Sequence, residues 1–241
     1  MNDFPLQKVI ASRSGLSRRD AEALVKDGKV EVDGMIAEAG CRVTEDAEIR
    51  IKGRRLAQAP ANFTYIALNK PAGYTCTSAQ FENERNIFEL IPFKEKLFAI
   101  GRLDKDSRGL LILTNDGDFA QHLSHPRYEH EKTYRVNLAS PRDVEWNPRD
   151  MSMIENELLQ GVNVPEEDRP MRAVRIKYLQ NGVFIITLNE GRKRQIRRMF
   201  DALGYAVKDL IRINLAGIDL GSLSEGKWRP LTEEEIKRLK K

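Results

Sequence analysis

The stretch Gly101-Arg102-Leu103-Asp104-Lys105-Asp106-Ser107-Arg108-Gly109-Leu110-Leu111-Ile112-Leu113-Thr114-Asn115-Asp116-Gly117 changes character halfway along. Its first half is charged and bounded by glycines. Its second half, Leu110 to Leu113, is an apolar run that reads as a buried strand, closed by the turn signal Asn115-Asp116-Gly117. Asp104 therefore sits on a loop feeding a core strand, where a rigid scaffold commonly holds chemistry. Taken alone, the loop reads first as a solvated turn with an ordinary surface carboxylate. Asp104, Asp106 and Gly109 also match three positions of a calcium loop, but Arg108 and Asn115 stand where ligands are required, and a strand follows instead of a helix.

Working back to the whole chain, 241 residues suggest one large or two modest domains. A hydrophobic fraction of 41% supports a core, and charged residues reach 32%. The net charge of +4 and pI near 9.0 are mildly basic, so local clustering matters more than the total. Cys41 and Cys76 form no CxxC pair, which excludes a disulfide framework or zinc knuckle and fits a reducing cytoplasm. The start, Met1-Asn2-Asp3-Phe4-Pro5, has neither a basic nor an apolar leader region, so a signal peptide is not expected. No apolar run approaches the ~20 residues of a membrane helix.

Upstream of the central stretch, Leu6, Val9 and Ile10 at helical spacing predict a first helix ended by Gly15. Ser17 with Asp20 reads as a capping pair for a second helix, striped by Ala21, Leu24 and Val25 and ended at Gly28. Val30 and Val32 then alternate with polar residues before the hairpin signal Asp33-Gly34, and Ile49 and Ile51 mark another short strand. Residues 1–56 are thus expected to form a small α/β domain, and the small-residue stretch 57–63, which contains Pro60, a linker. Arg13, Arg18, Arg19, Lys26 and Lys29 lie around the helix turn and strand entry.

From Thr64 a second domain, 64–241, is expected. Strands read at 65–68, 133–138, 174–178, 184–188, 206–213 and 215–220, Phe98 to Ile100 lead into the central loop, and helices read at 118–123, around 149–159 and in the C-terminal segment from Leu231. The segment Arg192-Lys193-Arg194-Gln195-Ile196-Arg197-Arg198-Met199-Phe200 carries five basic residues in seven, on a helix whose apolar stripe is Ile196, Met199, Phe200 and Leu203. Like charges crowd one turn there, an arrangement that favours a neighbouring anion, either RNA phosphate or a functional carboxylate. His122 and His125 are three apart, but no Cys or acid cluster completes a metal set, so no metal is expected.

Two resemblances follow from these residues. Ser17-Arg18-Arg19-Asp20-Ala21 and Gly28-Lys29-Val30-Glu31-Val32-Asp33-Gly34 resemble the S-four-type RNA-binding module, which implies phosphate contacts from the basic residues of 1–56. Leu68-Asn69-Lys70-Pro71-Ala72-Gly73-Tyr74, Gly101-Arg102-Leu103-Asp104, Glu131-Lys132-Thr133-Tyr134 and Gly191-Arg192-Lys193-Arg194-Gln195-Ile196-Arg197-Arg198 are similar, in order and spacing, to the successive motifs of the RsuA/RluB/RluE/RluF family of bacterial rRNA pseudouridine synthases. The loop pattern is nearest the RluF branch, with Arg194 standing where His or Asn is common. The resemblance implies an α+β fold with a mixed, largely antiparallel sheet and an intramolecular isomerisation needing no cofactor. Asp104 would be the catalytic carboxylate, as nucleophile or base, with Arg197 as its cationic partner. Tyr134 would stack on the target base, Arg102 would fill the gap left by the flipped uridine, and Lys70 and Arg192 would contact phosphates. The implied partner is ribosomal RNA, with tRNA a further candidate, and a monomer working in the cytoplasm is expected. Two readings from other classes stay open at this point. One is a non-catalytic RNA-binding assembly factor, which gives Asp104, Tyr134 and Arg197 no reason to occur together. The other is a nucleoside-cleaving hydrolase, which would need a second carboxylate.

Overall fold

The capping pair at Ser17 forms as expected. In the structure, a computed structural model describing residues 3–58, 62–77, 82–93, 95–139 and 146–240, Ser17 accepts from the Asp20 amide and Asp20 reciprocates. It opens α2 (Arg18–Lys26), which follows α1 (Leu6–Ser14) across Gly15, left-handed at φ 69°. The helices pack on a sheet of β2 (Val30–Val32), β3 (Met35–Ile36), β5 (Ile49–Ile51) and β6 (Arg54–Arg55) in the order β3-β2-β5-β6. β1 (Phe4–Pro5) pairs with β4 (Arg42–Val43) beside them. Leu6, Ile10, Ala21, Val30 and Ile49, the residues at the helical and alternating positions, are buried together.

Contacts divide the chain into two units. The first is Met1–Thr64 with Phe93–Leu97 and Asn115–Gly117, and the second is Tyr65–Pro92, Phe98–Thr114 and Asp118–Lys241. The first unit thus also takes in two short segments from the range expected to be wholly catalytic. Of the expected linker, residues 59–61 lie outside the described residues, as do residues 140–145.

The second unit is built on one long sheet. Its strands are β7 (Tyr65–Lys70), β10 (Phe98–Ile100), β11 (Arg108–Thr114), β12 (Lys132–Leu138), β13 (Arg175–Tyr178), β14 (Val183–Leu188), β15 (Val207–Leu215), β16 (Ile218–Asp219) and β17 (Trp228–Pro230). The order is β13-β14-β12-β15-β11-β7-β17, with β10 added to β11 and β16 to β15. Only β11 and β15 run parallel among these pairs, so the sheet is mixed and largely antiparallel, as expected. A short parallel pair, β8 (Tyr74–Thr75) with β9 (Arg85–Asn86), follows β7.

Helices cover the sheet because their apolar stripes need partners. α4 (Pro148–Gln160) and α5 (Gln195–Ala202) place Ile154, Leu158, Met199 and Phe200 against Val136, Phe184, Ile186 and Leu210. α3 (Gly117–Ser124) and α6 (Glu233–Leu239) place Phe119, Leu123 and Leu239 against Ala67, Leu110 and Ile112. Leu110 to Leu113 are fully buried, which is why that run is continuous rather than alternating. The parallel pairing depends on Gly109. It sits at φ +106°, and a Cβ there would lie 2.4 Å from the Arg212 carbonyl oxygen. Only glycine lets the two backbones approach so closely.

Two sequence expectations are corrected. The strands read at 206–213 and 215–220 are one longer strand, Val207–Leu215, turning at Ala216 and Gly217 into Ile218–Asp219. β17 was not expected, because its Pro230 and brevity hide a strand that is tolerated only at the sheet edge, against β7.

Candidate active site

β10 and β11 pair antiparallel, Ile100 opposite Ile112, and residues 101–107 form the loop between them. The loop is clamped from below. Lys70, the last residue of β7, is fully buried, and its Nζ donates to the carbonyls of Ser107 at 2.6 Å, Pro71 at 2.9 Å, Asp104 at 3.2 Å and Lys105 at 3.3 Å. An ammonium has three protons, so these four oxygens use all of its donor capacity. Burial drives the Lys70 pKa below its ordinary value, against the opposing pull of Cys76, Asp106, Asp104 and Glu225. Two backbone bonds complete the clamp: Gly73 N–H to the Lys105 carbonyl at 2.7 Å and Ser107 N–H to the Asp104 carbonyl at 3.1 Å. The expectation that Lys70 binds phosphate is therefore corrected. It is sealed in the protein, and it shapes the loop.

The carboxylate of Asp104 is half-buried and, among the described residues, accepts no hydrogen bond. Its expected cation is engaged elsewhere. Arg197 donates to the Val207 carbonyl at 2.8 Å and the Asp106 carbonyl at 3.3 Å, and its Nε lies 3.4 Å from the Asp106 carboxylate. Arg194, left-handed at φ 51° where α5 begins, forks onto the same carboxylate with two bonds of 3.1 Å. The direct Arg197–Asp104 pair is thus corrected to an Arg197–Asp106–Arg194 cluster two residues along the loop. Burial raises the Asp106 pKa, but the Arg194 hydrogen bonds and the charges of Arg197 and Arg194 outweigh it, so the carboxyl ends below its ordinary value. The Arg194 pKa is raised, first by its hydrogen bonds to Asp106 and then by the charges of Asp106 and Asp104. Asp104 consequently lies in the field of two fixed cations, Lys70 and Arg194, while its oxygens stay unoccupied.

Tyr134 is 9% exposed and belongs to the same apolar cluster as Leu103, the residue before Asp104. Arg102 is exposed and, among the described residues, has no side-chain partner. Arg192 is not free: it pairs with Glu167 and Glu190, both at 3.2 Å, and donates to the Arg169 carbonyl at 3.0 Å. Its expected phosphate contact gives way to a bracing role, shared with Arg198, which also holds Glu167.

In the first unit the basic residues separate by burial. Arg13 is buried, donating to the carbonyls of Ala47, at 2.9 Å, and Glu45, so its expected phosphate role is corrected to a structural one. Arg18 and Arg19 are exposed and unpaired among the described residues. Lys26 and Lys29 are exposed and pair only with Glu22 and Asp27 on the surface, contacts that contribute little and yield readily. His125 caps a 3-10 turn by accepting from the Arg127 amide. Among the described residues no group of three His, Cys, Asp or Glu side chains could hold a metal ion, and no helix is long and apolar enough to cross a membrane.

Sequence reasoning missed the Asp106 cluster and the clamp by Lys70. The signal for the first was present, since a crowd of uncompensated cations at 192–198 called for an acid. For the second there was none: a Lys before Pro-Ala-Gly looks exposed until β7 is seen to run under the loop.

A loop carboxylate held in place and left unbonded is equipped to attack or to take a proton, and comparison with known proteins says in which enzyme class. Residues 64–202 match the family model for RNA pseudouridylate synthase, and residues 4–49 match the S4 domain model. The chain is 38% identical over 246 residues to ribosomal large subunit pseudouridine synthase B of Bacillus subtilis (strain 168), covering 98% of this chain and 95% of that one. It is 34% identical over 234 residues to the dual-specificity RNA pseudouridine synthase RluF of Escherichia coli (strain K12), covering 96% of this chain and 76% of that one. A crystal structure of a pseudouridylate synthase superposes with a TM-score of 0.70 at 32% identity, covering 98% of this chain and 99% of the other. With the family model covering residues 64–202 and similarity running nearly end to end, the chain belongs to the RNA pseudouridylate synthase family.

Proposed function

We propose that the protein converts a uridine of large-subunit ribosomal RNA to pseudouridine in the cytoplasm, with Asp104 as the catalytic carboxylate. The observation that carries the assignment is the unbonded Asp104 carboxylate on a loop clamped by Lys70 and by the Asp106 cluster. The names of the similar Bacillus subtilis and Escherichia coli enzymes support the RNA class. Residues 1–56, within which 4–49 match the S4 model, serve as the RNA-docking domain, with Arg18, Arg19, Lys26 and Lys29 on phosphates, and 64–241 as the catalytic domain joined through 57–63.

The chemistry needs little beyond position and charge. The target uridine leaves the helix at a cost of about a few kcal/mol, and Arg102 occupies the space it vacates. Asp104 opens the glycosidic bond, by attack at C1′ or by taking the C2′ proton, and the electron pair passes to the uracil ring. The base turns within the site, supported by Tyr134, and its C5 bonds to C1′, displacing the Asp104 carboxylate on the first route or accompanied by return of the C2′ proton from Asp104 on the second; the C5 proton then passes to solvent. Lys70 and Arg194 supply a preorganised positive field, which costs no reorganisation during the step.

Asp104→Asn tests this. Asn preserves size but can neither attack nor act as base, so tritium release from [5-3H]uridine-labelled ribosomal RNA should be lost while folding and RNA binding persist. Near-normal release by the folded variant would remove Asp104 from the reaction. Sequencing of pseudouridines in RNA from cells with and without the protein identifies the site, and a target in small-subunit RNA or tRNA would overturn the large-subunit assignment.

A further inference from the structure

Within the catalytic unit a cleft of about 520 Å3 opens beside the start of α5, walled by Pro126, Glu129, Gln160, Arg169, Arg172 and Asn189. Glu190 and Arg192 also line it, and these are engaged with one another and with their neighbours. Arg192 holds Glu190 and Glu167, Gln195 donates to Glu190 at 2.7 Å, and Arg198 takes the other oxygen of Glu167. Arg169 and Arg172 are different. Both guanidinium groups are exposed, and among the described residues neither has a carboxylate or any other side-chain acceptor. Two cations without an acceptor therefore line a concave surface that also carries the carboxylate of Glu129 and the amides of Gln160 and Asn189, which can donate and accept hydrogen bonds.

The mount of these arginines is rigid. Between them Met171 is fully buried in the main core, and its backbone exchanges two hydrogen bonds with Val162, 2.8 and 2.9 Å. Ala173 N–H donates to the Leu158 carbonyl at 2.7 Å, and Arg192 donates to the Arg169 carbonyl at 3.0 Å. Gly161, at φ +115°, lets this segment lie tight against the end of α4, since a Cβ there would meet Pro170 Cβ at 3.1 Å. A ligand held by Arg169 and Arg172 thus meets a backbone already ordered, and less entropy is lost on binding.

We propose that this cleft is a nucleotide subsite for the substrate RNA, in which Arg169 and Arg172 hold a backbone phosphate next to the target uridine. Arginine's planar fork suits phosphate, and a polyanion is the complement of two unpaired guanidinium groups. The cleft is linked to the reacting loop through the segment that leads into α5: Arg192 lines the cleft, and Arg194, just before α5, and Arg197, within it, grip Asp106 two residues from Asp104. Glu129, on the same lining and without an ion-pair partner among the described residues, repels a phosphate placed on its side. It can accept from a ribose 2′-hydroxyl, the group that distinguishes RNA from DNA. The inference rests on the reading of the protein as an RNA pseudouridine synthase and adds a place where flanking RNA is held.

The test is the double variant Arg169→Ala/Arg172→Ala in the full chain, neither residue having been placed in the catalytic machinery. Binding is measured with Asp104→Asn as background, by titrating ribosomal RNA against salt, and turnover by tritium release. The subsite predicts an affinity loss of about tenfold or more at moderate salt, a salt slope shallower by about one to two, and a raised KM with kcat at saturating RNA unchanged. Unchanged affinity and slope would overturn the subsite, even with a fully active wild-type enzyme. A kcat loss with unchanged KM would also overturn it, by showing a structural role for the pair. Absence of tritium release by the wild-type protein would instead refute the activity, and the binding measurement would still report on the cleft.

Discussion

Replacing Lys70 with Met should separate loop positioning from chemistry. Met keeps the length and apolar stem of Lys but removes the ammonium, leaving the carbonyls of Pro71, Asp104, Lys105 and Ser107 without their shared donor. Three protons serve four acceptors, and two contacts, 2.6 and 2.9 Å, are of full-strength length. Hydrogen bonds to a charged group contribute about 1.5–3 kcal/mol each in net terms, while removing a buried ammonium returns part of its desolvation cost. A net loss of about 3 kcal/mol in the catalytic unit is expected, read as a lower urea midpoint at unchanged m. The loop then relaxes about Asp104, and a displacement of about 1 Å costs on the order of a hundredfold in rate. Tritium release under single-turnover conditions should therefore fall by about that factor, with RNA affinity nearly unchanged because Lys70 is buried. Wild-type kcat together with a wild-type urea midpoint would refute the clamp. A large loss of RNA affinity would show instead that Lys70 reaches phosphate.

Two other outcomes follow from burial and charge. Arg18→Ala/Arg19→Ala should weaken RNA binding and flatten its salt slope by about two, whereas Arg13→Ala should leave the slope alone and lower the melting temperature by removing the bonds to Ala47 and Glu45; equal slope changes would contradict that division. Because the folded Asp106 carboxyl is held below its ordinary value, its pairing stabilises the protein fully above about pH 4. That contribution is lost as pH falls through the folded value, and, the pair being half exposed, it amounts to about 1 kcal/mol or less. Asp106→Asn should thus be less stable than wild type near pH 7, with the gap closing as pH falls through the folded Asp106 value, and a gap that does not narrow with acid would discount the ion pair as its cause.

The S-four-type unit, the α+β class and the position of Asp104 on a loop before a core strand were all legible in the sequence, and for local reasons. Capping at Ser17 and Asp20, the turn at Asp33-Gly34 and the apolar run Leu110 to Leu113 depend on neighbours within a few residues. Short-range periodicity records such features directly. The four spaced motifs likewise named residues that the fold assembles from β7, the β10–β11 loop, β12 and α5.

What only the tertiary structure decided is how each charged side chain is used. Lys70, Arg13 and Arg192 looked like cations for RNA, yet each is consumed by protein oxygens brought from far along the chain: Ser107, Ala47 and Glu167. Arg197 was expected on Asp104 and lies on Asp106, two residues further along the loop, where it also donates to the Asp106 and Val207 carbonyls. Arg169 and Arg172, which composition gave no reason to select, are left without a side-chain acceptor among the described residues, as are Arg18, Arg19 and Arg102. A charge in a sequence states what a side chain can bind, and which partner it meets depends on burial and long-range pairing, since an ammonium or guanidinium inside the protein must satisfy its donors with whatever oxygens the fold delivers.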